Sequence, residues 1–207
     1  VFAKSGSGKS SATKLEVIRT LMFGVEVLVV DPENEYKRLA NSFGGSFFNI
    51  SLSSAEHINP FDIPLVPEGE NPSDVLRSHI VNMAGLLKLM LGKLSVEEDA
   101  LLDRAITETY ASREIVPNED FSKATAPLLE DLETVLRNIE GGRAMAERLY
   151  KYTKGSFAGF LNKPTNIDIN NRLIVFSIRD LEDELRPIAL YIILNFIWNL
   201  IRARLKK

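Results

Sequence analysis

The stretch Ser5-Gly6-Ser7-Gly8-Lys9-Ser10 constrains the fold of this chain more than any other. It fits the pattern G-x-x-x-x-G-K-[ST], with Ala3 where the first glycine of the pattern falls. A loop of this kind has one physical purpose, to bring several backbone N–H groups close to a polyphosphate at once. Glycine allows positive φ and leaves no Cβ in the way. The helix that follows points its free N–H groups and partial positive charge at the anion. Ala3 sits at the strand-to-loop bend, where alanine is the mildest replacement, and Gly6 adds freedom inside the loop.

The flanking sequence fits. Val1-Phe2 reads as the tail of a strand, and Ala12, Leu15, Ile18 and Leu21-Met22 recur at helical spacing before a stop at Gly24. Val25 to Val30 is a β-branched run of the kind buried on both faces of a parallel sheet, and Asp31-Pro32 ends it. Strand, glycine-rich loop, helix and strand make a βαβ unit with short connections. The expected cofactors are ATP and Mg²⁺. Ser5, Gly6, Ser7, Gly8, Lys9, Ser10 and Ser11 form the expected cofactor-binding set, with Lys9 at the β/γ-phosphates and the Ser10 hydroxyl on Mg²⁺. Val27-Leu28-Val29-Val30-Asp31 also has the form of four apolar residues and an acid on a strand beside the loop. That makes Asp31 a candidate metal neighbour and Glu33 or Glu35 candidates for positioning the attacking water. Arg179-Asp180, after the strand-like run Leu173 to Ile178, has the same topology and is a secondary candidate.

Other chemistries fail on inspection. There is no Gly-x-Ser-x-Gly elbow and no His-Glu-x-x-His. No glycine follows an aspartate by three positions, and Asn162-Lys163-Pro164-Thr165 lacks the final acid of a guanine-specificity motif. Cysteine is absent, which excludes disulfides and a thiol nucleophile, and two histidines are too few for a histidine-rich metal site. With 25 Lys+Arg against 28 Asp+Glu, the net charge of −3 does not suit a compact, strongly basic nucleic-acid module.

Further along, Tyr36 to Ala40 suits a short helix, Ser46 to Ile50 a strand, and Asn59-Pro60-Phe61-Asp62-Ile63-Pro64 a turn-rich extended stretch. From Ser73 the alternation of strand and helix gives way to uninterrupted helical periodicity. Ser95-Val96-Glu97-Glu98 has capping-box form. Residues 73–154 therefore read as an all-helical insertion of about four helices, with 1–72 and 155–207 as the nucleotide-binding core. The segment from Ile188 to Ile201 falls short of the ~20 apolar residues a membrane helix needs. Tyr191, Asn195 and Asn199 sit four apart, so the expectation is a buried core helix with one polar stripe. Residue 1 is Val, and the motif starts almost at once, so the chain reads as a piece of a longer protein.

Three sets of residues carry a resemblance: Ser5 to Ser10, then Asp31-Pro32-Glu33-Asn34-Glu35-Tyr36, then Ile58-Asn59-Pro60-Phe61-Asp62. Together they resemble the traffic ATPase of type IV secretion (conjugation) systems, related to FtsK/HerA-like DNA pumps. The segment from Asn166 through Trp198 resembles it as well. The resemblance implies an α/β fold, a RecA-like P-loop core with a mainly parallel sheet and an all-α insertion. It implies ATP hydrolysis, a hexamer in the working motor, and a cytoplasmic position peripheral to the bacterial inner membrane. Inner-membrane channel proteins and other secretion ATPases are the implied partners, with DNA a further one. It also implies that Asp31 is not the principal metal acid, which in that family follows the long helix on a strand that would start after Lys207. A DNA-translocating pump for repair or segregation, and a non-motor nucleotide-binding module, stay open as alternatives.

Overall fold

A computed structural model describes residues 8–66, 68–117, 119–121 and 123–205. The order of elements is α1 (Lys9–Met22), β1 (Val27–Asp31), α2 (Lys37–Ser42), β2 (Ser46–Asn49), α3 (Pro72–Leu91), α4 (Val96–Ala111), α5 (Leu129–Asn138), α6 (Arg143–Thr153), α7 (Ala158–Leu161), β3 (Leu173–Ser177) and α8 (Arg186–Leu205). The strands form one parallel sheet in the order β1-β3-β2. This is the α/β architecture expected of a RecA-like core, and each strand predicted within the described residues is present. The strand expected at Val1-Phe2 lies outside them.

β3 is central, so all five of its residues are buried, and their period of two divides the core. Leu173 and Val175 pack with Val17 of α1 and Ala40 of α2 on one face. Ile174 and Phe176 face the other way, into a large core shared with α8 and with α3 to α6. β1 was expected to be buried on both faces. Its residues 27–30 are instead only half-buried, because among the described strands only β3 lies beside it.

The helical segment starts at Pro72, one residue before the expected Ser73, with Asn71 as N-cap accepting the Ser73 N–H at 2.9 Å and Pro72 in the first turn. The capping box at the start of α4 is complete: the Ser95 hydroxyl accepts the Glu98 N–H, and the Glu98 carboxylate accepts the Ser95 N–H. The apolar faces of these helices do not close on themselves. Leu76, Leu86, Leu102, Leu132 and Leu149 belong to the same buried cluster as Phe48 and Phe176 of the sheet.

α8 lies on the sheet through Ile188, Ala189, Ile192 and Ile193, while Leu190, Leu194 and Trp198 remain exposed on its outer side. Its polar stripe meets α3, where the Tyr191 hydroxyl donates to the Asn82 carbonyl at 2.9 Å. Among the described residues no helix is long and apolar enough to cross a membrane.

Candidate nucleotide-binding site

The loop residues Ser5, Gly6 and Ser7 lie outside the described residues, of which Gly8 is the first. Gly8 caps α1 with φ 81°, a left-handed conformation that costs a side-chain-bearing residue free energy and glycine almost none. Its carbonyl accepts the Ala12 N–H at 3.0 Å, starting the helix at Lys9. No side chain caps this end and no acid stands in the first turn of α1. The N-terminus of α1 therefore keeps its partial positive charge for an anion. Lys9 and Ser11 are exposed, and Ser10 is half-buried.

Across from Ser10 comes the loop after β1. Asp31 is 2 % exposed, and its two carboxylate oxygens accept the N–H groups of Glu35 (3.1 Å) and Tyr36 (2.8 Å). Asp31, expected as a metal neighbour, thus closes the loop that carries the other two acids. Asn34 helps the turn with φ 58°, which asparagine tolerates better than most residues. Glu33 is exposed, and its carbonyl accepts from the Arg179 guanidinium at 3.4 Å.

Glu35 is the acid that meets the loop. The Ser10 hydroxyl donates to its carboxylate, which holds that carboxyl below the usual range, with Lys14 and the charge of Lys9 acting in the same direction. Lys14 Nζ lies 3.4 Å from Glu35 Oε2 and 5.4 Å from the centre of the Tyr36 ring. The Tyr36 hydroxyl is pushed up by burial and by the charges of Asp31 and Glu35. A hydroxyl that gives its proton to a carboxylate keeps its lone pairs for a cation, so the Ser10–Glu35 pair fits a Mg²⁺ ligand held in a fixed orientation. The donor set suits a magnesium-bound polyphosphate: a serine oxygen, a lysine beside it and an uncapped helix start.

Sequence reading missed Lys14 and Tyr36 as members of this site. The signal for Lys14 was present, since Ser10 and Lys14 are four apart and share a helix face. Arg179 and Asp180 separate at the end of β3. Arg179 turns to the Glu33 loop, whereas Asp180 accepts from Asn49 Nδ2 at 2.8 Å on the β2 side.

The order of the strands places Asp31, Ser177 and Asn49 side by side in register at one end of the sheet. Ligands of open parallel sheets bind at this carboxyl end. The family model described as "Helicase HerA, central domain" matches residues 1–193. The chain belongs to the HerA central-domain family. Its fold is also similar to that of VirB4 from Thermoanaerobacter pseudethanolicus, with a TM-score of 0.84 and 27 % sequence identity over 96 % of this chain. The chain spans 55 % of that VirB4 chain, a little over half its length. Comparison with curated protein sequences gives no match. Membership of the HerA family and the likeness to VirB4 agree with the resemblance drawn from the motifs.

Proposed function

We propose that this chain is the nucleotide-binding part of an ATP-driven motor that powers a type IV secretion or conjugation machine. The likeness to VirB4 over nearly the whole chain is the observation that carries this reading. Lys9 neutralises the β/γ-phosphates, and the backbone N–H groups of the loop and of the start of α1 cradle them. Ser10 holds Mg²⁺, and Ser5, Gly6, Ser7, Gly8 and Ser11 complete the binding set. Bound Mg²⁺ and ATP supply the phosphoryl chemistry; the protein positions the phosphates and excludes competing geometries. Glu35 orients Ser10 and, with Glu33, lies on the side from which water approaches. Asp31 serves as the anchor of that loop. In this reading the motor works as a hexamer at the cytoplasmic face of the inner membrane, against channel proteins and other secretion ATPases, and residues 73–154 form its helical insertion.

A second reading, a DNA-translocating pump, is favoured by the family description, which names a helicase. The two share the nucleotide site and differ in what is moved.

Lys9→Ala tests the nucleotide site. It should abolish tight Mg-ATP binding in calorimetry and leave the fold intact, because Lys9 is exposed and not part of the core. Unchanged affinity would end the assignment. Stimulation of the parent protein's turnover by double-stranded DNA would favour the pump over the secretion motor.

A further inference from the structure

Glu33 and Arg179 face each other beyond the ends of two paired strands. Asp31 of β1 is in register with Ser177 of β3, and the Ile178 N–H donates to the Asp31 carbonyl at 3.2 Å. Glu33 and Arg179 each lie two residues past that register pair. The arginine guanidinium reaches across and donates to the Glu33 carbonyl at 3.4 Å.

Residues 32–35 belong to no helix or strand. The far end of this loop is fastened. The Glu35 and Tyr36 N–H groups bind the Asp31 carboxylate, and the Glu35 side chain meets Ser10 and Lys14 of α1. The tip is not fastened in this way. Among the described residues, Arg179 makes the one hydrogen bond that reaches residues 32–34 from another element. It binds the main chain of Glu33 and leaves the carboxylate uncommitted. None of the ion pairs among the described residues includes Arg179 or Glu33.

The backbone that carries Arg179 is itself held. Its carbonyl accepts from the Arg186 guanidinium at 3.1 Å, and Arg186 Nε donates to the Leu181 carbonyl at 3.2 Å. Arg186 also pairs with Asp183 at 3.0 Å. The turn between β3 and α8 therefore offers the Arg179 fork from a fixed base, as a supporting residue must if it is to hold another group in place.

We propose that Arg179 is a positioning residue of the nucleotide site: by holding the tip of the 32–35 loop it keeps the Glu35 carboxylate on the Ser10 hydroxyl, and so keeps Ser10 turned to receive Mg²⁺. This role rests on the nucleotide-site reading, in which Ser10 is the Mg²⁺ ligand. Residues that orient a ligand from outside the metal's own contacts commonly set its affinity in this way.

The test compares Arg179→Met, Arg179→Lys, Glu35→Gln and the double variant Arg179→Met/Glu35→Gln in fluorescent-nucleotide titrations at several Mg²⁺ concentrations. Arg179→Met should raise the Mg²⁺ concentration for half-maximal ATP binding by about 3–5-fold, the size expected of one modest hydrogen bond. Arg179→Lys keeps a donor and should fall between the parent and the Met variant. In the Glu35→Gln background the Met substitution should add nothing, because its effect passes through that carboxylate. In nucleotide-free protein, ¹⁵N relaxation should show the Asn34 and Glu35 amides gaining mobility in Arg179→Met. Arg179 is exposed, so Tm should change little. An unshifted Mg²⁺ dependence in Arg179→Met, an equal shift in the Glu35→Gln background, or loop amides as ordered as the parent's would each overturn the role. Failure of the underlying site looks different: the parent would not bind Mg-ATP, or Lys9→Ala would bind it as the parent does, and the role of Arg179 would fall with it.

Discussion

Lys14 Nζ stands 3.4 Å from Glu35 Oε2, one helical turn beyond the serine whose hydroxyl the same carboxylate accepts. The carboxylate therefore has two partners on one face of α1, and the lysine keeps it turned toward Ser10. Removing the acceptor should leave the Ser10 hydroxyl free to rotate. Glu35→Gln is expected to raise the Mg²⁺ concentration for half-maximal ATP binding by about 10-fold, with Lys14→Met acting in the same direction and more weakly. Thermal stability should change little in both, since the pair is largely solvent-exposed and exposed pairs contribute little. Fluorescent-nucleotide titrations at several Mg²⁺ concentrations check this. A Glu35→Gln variant with an unshifted Mg²⁺ dependence would show that the carboxylate does not orient the serine.

Asn59 ties three separate stretches of the chain together in the interior. Its side-chain N–H₂ donates to the Pro127 carbonyl, 68 residues later, at 2.9 Å, its Oδ1 accepts the Phe61 N–H at 3.0 Å, and its own N–H donates to Thr165 Oγ1 at 2.7 Å. One buried amide thus joins the 58–62 turn to the segment before α5 and to the approach to β3. Asn59→Asp keeps the size and the acceptor for Phe61 but sets a second acceptor against the Pro127 carbonyl. Leaving buried polar groups unpaired in this way should cost about 2–3 kcal/mol. Urea denaturation measures it, and a loss below 1 kcal/mol would mean that the turn rearranges to satisfy the acid.

These two sites show what was legible in the sequence. The strands within the described residues and the capping box are set by neighbours a few residues apart, and each was read correctly in place. The half-exposure of β1 depends on which strands flank it, which no local pattern records. The sharing of one core by the sheet and α3 to α6 was hidden for a similar reason. Periodicity reveals that Leu76 and Leu132 face inward but not that they face the same interior as Phe176. The jobs of Asn59 and His79 were likewise invisible, because their partners lie 68 residues away at Pro127 and across a turn at Phe61.

Gly159 in α7 is a close-approach glycine. A Cβ there would stand 2.0 Å from the Leu52 carbonyl oxygen, which is backbone and cannot swing aside. Gly159→Ala should force α7 off the 50–54 segment and cost about 3 kcal/mol, the upper part of the usual range for overpacking. Gly92→Ala offers a comparison, since a Cβ there meets nothing and the cost comes only from its φ of 76°. Equal Tm losses in the two variants would contradict the close contact.

The buried neutral His79 should also leave a mark on the pH dependence of stability. Its pKa falls from 6.5 in the unfolded chain to about 4 in the folded one, chiefly through burial. Between those values the unfolded chain binds a proton that the folded chain refuses. Stability is therefore full above pH 6.5, declines as pH drops through the interval, and levels off below about 4. The full decline corresponds to about 3 kcal/mol for this one group. Carboxylates titrate in part of the same interval, so the comparison must be with His79→Gln, which lacks the titration and keeps a polar side chain. Denaturant unfolding of both proteins in chelator at pH 7.5 and at pH 4.5 should show the parent losing roughly 2–3 kcal/mol more than the variant. Parallel losses would mean that the imidazole is protonated in the folded state or reaches water.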